Sequence, residues 1–211
     1  MRRPMKLFSA LCFLIFFLGS LPVSAQKPDA LQMYREKRYE EGAAIGRQEV
    51  AVNPQNIDAY VVLCWNLLGA HRYVEAENYA NQARKYDSAN TRIIEALAES
   101  RYYQGKNASA LEAFQIYVST ASKTAGDYGW AYYYMGDIYT RLTKYEHADI
   151  AFTSAVNIDG KRSLWWFKCG YAREMAGSYK SALAAYEKAI SLDASYQDAL
   201  RGLERVKPKV K

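Results

Sequence analysis

"YKSALAAYEKAISLDAS" (residues 179–195) and "YEHADIAFTSAVNIDG" (residues 145–160) carry one skeleton, 34 positions apart. Tyr179 falls over Tyr145, Ala182 over Ala148, Tyr186 over Phe152, Ala189 over Ala155 and Asp193 over Asp159. Steps of three and four residues put these side chains on one helix face. Small residues let two helices cross closely, and the aromatics fill the wider gap beside them.

The same period runs outward along the chain. It gives windows at residues 57–90, 91–124, 129–162 and 163–196, after a partial copy at 28–56. Tyr60, Cys64 and Ala76 mark the first full window; Ile94, Ala98, Ala110 and Phe114 mark the next. Each window splits into two apolar runs of helical spacing, separated by turns such as "QGKN" (104–107) and "AGSY" (176–179). One such hairpin cannot bury its apolar face alone, so copies must stack.

Trp166 with Gly170, and Met135-Gly136 with Tyr139, add to the Tyr–Ala–aromatic–Ala sets. Over residues 28–206 the chain resembles the tetratricopeptide repeat (TPR) family in these columns. Glu49 and Tyr117 depart from it by replacing a small residue late in the second helix, and Asn107 replaces a turn tyrosine. The resemblance implies an all-α fold, a right-handed α-solenoid of about five helix-turn-helix units spanning residues 26–206. The amphipathic stretch 197–206, with Leu200, Leu203 and Val206 on one side, is read as its capping helix. Residues 207–211 form a basic tail. Four extra residues, Ala125 to Tyr128, predict a longer loop between the third and fourth repeats, counting the partial copy as the first.

"MRRPMK" followed by 13 uncharged residues and "SLPVSA" reads as a secretory signal peptide over residues 1–25. The apolar run is shorter than the roughly 20 residues of a membrane span. Cleavage would remove Arg2, Arg3 and Lys6, and the formal charge would fall from +6 to +3. The expectation is an exported, periplasmic chain with no membrane insertion after cleavage and no nucleic-acid partner. Cys64 and Cys169 lie three repeats apart, roughly 25–30 Å at usual helix spacings. That is too far for a disulfide, which needs Cα atoms within about 7 Å.

No catalytic constellation, phosphate loop or metal-ligand spacing is legible, so no cofactor and no enzymatic activity are expected. His71 and His147 fall in different repeats. "NAS" at Asn107 matches a glycosylation sequon at a helix start, where capping is the better reading.

The resemblance places binding on the concave face built by the first helices. There the partner-binding candidates are Trp65, Tyr102, Tyr103, Trp130, Tyr133, Asp137, Phe167 and Tyr171. Such a concentration of exposed aromatics points to a partner. Glu95, Glu99 and Asp137 form an acidic middle, which Arg92 and Arg141 offset or a cation occupies. The carboxylate clamp of chaperone-binding members is absent, because its columns hold Val61, Trp65, Glu95 and Glu99. The expected function is a scaffold or adaptor holding a protein or peptide partner, in an envelope assembly. The alternatives are a periplasmic carrier of a small apolar or aromatic ligand, and a structural protein that self-associates as a homo-oligomer.

Overall fold

The computed structural model describes residues 29–210. Among them the chain forms eleven α-helices, a closing 3₁₀ turn and no strand. The helices pair as α1 (Ala30–Arg35) with α2 (Tyr39–Val52), α3 (Ile57–Gly69) with α4 (Tyr73–Ala83), and α5 (Thr91–Tyr103) with α6 (Asn107–Thr120). Two more pairs follow, α7 (Tyr128–Arg141) with α8 (Tyr145–Ile158) and α9 (Ser163–Met175) with α10 (Tyr179–Leu192). Helix α11 (Gln197–Val206) closes the array. The signal-peptide reading at residues 1–25 lies outside the described residues.

Each odd-numbered helix packs on the next odd-numbered helix, whereas no two even-numbered backbones pack closely and α2 reaches α4 only through side chains such as Arg47–Glu75 at 3.2 Å. The odd layer is therefore the tighter, inner side of a curved stack. Any side chain projecting from it faces the concavity.

The quoted skeleton has a direct packing meaning. Phe152 lies on Gly136, where a Cβ would come within 2.7 Å of the ring. One repeat later Tyr186 lies on Gly170, where a Cβ would meet its ring at 2.6 Å, and on Gly202 of α11, where one would meet it at 2.5 Å. Both rings are fully buried, as are Ala148, Ala155, Ala182 and Ala189. The aromatic fills the space that the glycines leave.

The turn inside each pair carries the same period in its backbone. Lys37, His71, Gly105, Thr143 and Gly177 all adopt the left-handed conformation, with φ between 58° and 79°. Their intervals are 34, 34, 38 and 34 residues, so the insertion falls within the third interval. It appears as the loop Ala121–Asp127, between α6 and α7. Tyr128, expected in that loop, instead opens α7. It is buried, and its hydroxyl donates to the Val118 carbonyl at 2.9 Å.

Two further expectations are corrected. Asn107 does not cap α6: the capping residue is Lys106, and the Asn107 Oδ1 is buried without a partner. The cap helix buries Ala199, Gly202 and Val206, while Leu200 lies at an outer recess with Arg201, Glu204 and Arg205. Cys64 and Cys169 are buried free thiols, and burial pushes both up to about 12.

Candidate functional site

The inner layer opens into a cleft of about 610 Å³ at its N-terminal half. Three inner helices supply most of it. Helix α1 gives Tyr34, α3 gives Trp65, Leu68 and Gly69, and α5 gives Glu95, Glu99 and Tyr103. His71, Tyr73, Tyr39 and Asp127 complete the lining.

Its walls are rings held by rings. Tyr34 lies 5.5 Å from Trp65 and 5.9 Å from Tyr39, centroid to centroid. On the opposite side Tyr73 stacks on Tyr103 at 4.7 Å. The register explains the opening between them. Tyr39 leans on Gly69, where a Cβ would meet its ring at 2.6 Å. One repeat on, the column of Gly69 holds Tyr103, so a side chain rises where the previous repeat has none.

The floor is acidic. Glu95 and Glu99 stand one turn apart on α5, and Asp127 lines the same cleft beside them. Burial, with the charges of Asp127 and Glu99, pushes the Glu95 carboxyl up to about 9. Burial and the Asp127 charge push Glu99 up to about 7. Among the described residues neither glutamate has a Lys or Arg partner. Arg92 pairs with Asp58 at 2.6 Å, and Arg141 pairs with Asp137 at 3.0 Å, so both cations expected to offset this floor are spent elsewhere.

Asp127 reaches the floor for a local reason. Asn56 and Asn90 cap α3 and α5 by accepting from the Ala59 and Ile93 amides, both at 3.3 Å. Asp127 holds the capping position of α7, but its side chain makes no capping bond. The inserted loop delivers it to the cleft instead. Tyr117, the bulky departure late in α6, is buried beside the same carboxylates, which help burial raise its hydroxyl.

The structure divides the sequence candidates. Trp65 and Tyr103 line the cleft, and Tyr103 is 45% exposed. Tyr102 is buried at 8% exposure; its hydroxyl donates to Asp137 at 2.9 Å, and Arg141 lies 4.1 Å over its ring. Asp137 is not part of the acidic floor. Burial raises its carboxyl, but Lys168 (2.8 Å), Tyr102 and Arg141 outweigh this and hold it below the usual range. Trp130 and Tyr133 form a second aromatic group with Tyr134 and Trp165; Trp130 meets Trp165 edge-on at 5.1 Å. Phe167 packs on Tyr186 and Tyr196, and Tyr171 is half-buried. The sequence alone gives no binding signal for Tyr34, Tyr134, Trp165 and Asp127. For Tyr39 and Tyr73 the signal existed, since both sit in the turn column 34 residues apart.

With this geometry in view, the likeness to solved structures is specific. The fold is a tetratricopeptide-repeat solenoid. A Pseudomonas aeruginosa PilF structure aligns over 85% of this chain and 80% of its own, at 14% identity and TM-score 0.73. A crystal structure of MamA aligns over 80% and 96%, at 16% identity and TM-score 0.70. YrrB, described as a TPR protein with an unusual peptide-binding site, aligns over 83% and 88%, at 16% identity and TM-score 0.68. No family model and no curated protein matches the chain. Among the described residues no helix is long and apolar enough to cross a membrane, and no side-chain group has metal-binding geometry.

Proposed function

We propose that this solenoid is an exported interaction scaffold that holds a protein or peptide partner along its inner layer. The observation that carries this reading is the cleft: an open groove of about 610 Å³ walled by rings on successive inner helices. Side chains of an extended or helical segment insert between such rings, and aromatics dominate binding hot spots. The likeness to YrrB, whose structure is described by its peptide-binding site, supports the same use of the fold. Export follows from the leader read at residues 1–25 and would bring the scaffold to an envelope partner. N-terminal sequencing of the processed chain should begin at Gln26.

A photo-crosslinking amino acid tests the binding face directly. Placed at Tyr103 it should capture a discrete partner in envelope extracts. Placed at Ile150 on α8, which is 68% exposed on the other layer, it should not. Equal capture from both positions would move the function off the inner layer. The cleft volume also falls within the range of small-molecule sites, which favours the carrier reading second. Native mass spectrometry of the purified protein separates the two: a co-purifying small ligand of fixed mass would support the carrier.

A further inference from the structure

The scaffold reading leaves open what the cleft selects, and here its charge is informative. We propose that the cleft is a receptor for one positively charged side chain, lysine or arginine, presented by the bound partner segment. This rests on the scaffold reading and specifies its ligand chemistry.

Three independent features converge on a cation. First, the cleft holds three carboxyl groups, Glu95, Glu99 and Asp127, with no basic side chain among the described residues paired to Glu95 or Glu99. Nearby cations exist, yet Arg92 and Arg141 are committed to Asp58 and Asp137. Second, Tyr34, Trp65 and Tyr103 line the same cleft as this floor. A guanidinium or ammonium group seated among these carboxyls and rings draws the carboxyls into their ionised form and gains both charge pairing and cation–π attraction. The carboxyls lack metal-binding geometry. Third, the site coincides with both irregularities around α6 and α7: bulky Tyr117 and the inserted loop that ends in Asp127. Departures from a repeat that assemble one site are expected where function overrides packing.

The formal charge of the whole chain is +6, so a basic peptide is not drawn to this molecule by bulk electrostatics. Any preference must come from the local field of the cleft.

The test uses fluorescein-labelled nine-residue peptides of alanine and serine with two central positions varied as Arg, Lys, Gln or Glu. Fluorescence anisotropy with the purified processed chain should show binding of the Arg and Lys peptides. The Gln peptide should bind at least tenfold more weakly, and the Glu peptide not at all. Raising NaCl from 50 to 500 mM should weaken the Arg peptide severalfold. Glu95→Gln with Glu99→Gln, isosteric and free of new volume, should weaken it at least tenfold. Glu112→Gln, an exposed carboxylate on α6, should leave it unchanged. Trp65→Ala gives a charge-neutral second variant and should also reduce binding, with circular dichroism confirming the fold. The proposal is overturned if the Arg and Gln peptides bind alike, if no basic peptide binds up to 1 mM, or if Glu112→Gln acts as strongly as the cleft pair. It is equally overturned if tetramethylammonium alone binds as tightly as the Arg peptide, which would assign the cleft to a free small cation. Capture of a partner through Tyr103 without any charge preference would leave the scaffold reading standing and this one refuted.

Discussion

Thr143 is the most strained of the five turn residues in kind, because a β-branched side chain occupies a left-handed backbone at φ 58°. That conformation costs an L-residue about 1–2 kcal/mol. Its hydroxyl bonds only the neighbouring Leu142 carbonyl, and the residue is exposed, so little is gained in return. Glycine already fills the equivalent position at residues 105 and 177. Thr143→Gly relieves the strain but adds about 0.5–1 kcal/mol of unfolded-state entropy. The strain term is larger, so the change should stabilise by up to about 1 kcal/mol and raise the melting temperature by roughly 2–4 °C. Thermal melts by circular dichroism check this; an unchanged or lower melting point would mean the turn geometry is wrong. Trp130 gives the opposite case. Its column places it on the solvent-facing stripe, yet it packs edge-on against Trp165, which is 1% exposed. Trp130→Ala should therefore lower stability by about 1–3 kcal/mol in denaturant unfolding as well as affecting any binding.

Helix pairing turns on whether the small-residue columns are spacers. At Gly170 two effects oppose each other. Alanine is a better helix former by about 1 kcal/mol, but its Cβ would stand 2.6 Å from the Tyr186 ring. That ring has little room to retreat: Gly202 also lies against it, and its hydroxyl donates to Glu174 at 2.7 Å. Overpacking of about 1–3 kcal/mol should win, and Gly170→Ala should destabilise. Ala182→Leu, at a fully buried crossing, should do the same. Gly126→Ala, where nothing lies within 4 Å, should be neutral in the same urea titrations. The helices, their pairing and these crossings were legible in the sequence because each repeat restates one contact. The acidic floor was only half legible. The Arg92–Asp58 pair is itself spaced by one period, so the register could have removed Arg92 from the floor. Asp127 could not be placed that way, because it enters through the one loop that breaks the period. Asp137 shares its column with Glu99, but Lys168, three residues short of the period, neutralises it from the next inner helix.

At the scale of the whole molecule, two sets of carboxyl groups pull stability in opposite directions with pH. Asp137 and Glu174 are each raised by burial, but their partners prevail and hold them below the usual range. For Glu174 the partners are Arg205, bidentate at 2.9 Å, and Tyr186. A lowered carboxyl stabilises the fold above its unfolded value, and the benefit disappears as pH falls below about 4. Glu95 and Glu99 behave in reverse. Their folded values, about 9 and about 7, lie above the unfolded value, so the folded chain binds more protons between pH 4.5 and 9. Stability is unaffected by them below that window and is progressively lost as pH rises through 7 and then 9. The titratable groups around them are Asp127, Tyr34, Tyr39, Tyr73, Tyr103, Tyr117, Tyr134 and His71. His71→Asn as the reference background keeps the readout free of the imidazole. In that background the melting temperature should peak near pH 5 and fall toward pH 9. Adding Glu95→Gln and Glu99→Gln should flatten the alkaline side, raising the melting point at pH 8 and leaving it unchanged at pH 5. A basic peptide seated in the cleft should do the same without mutation, because its charge replaces the missing partner and gives back the stability lost on ionisation. If the two profiles superimpose between pH 5 and 9, the carboxyls are fully solvated. The acidic cleft would then not exist in solution as described.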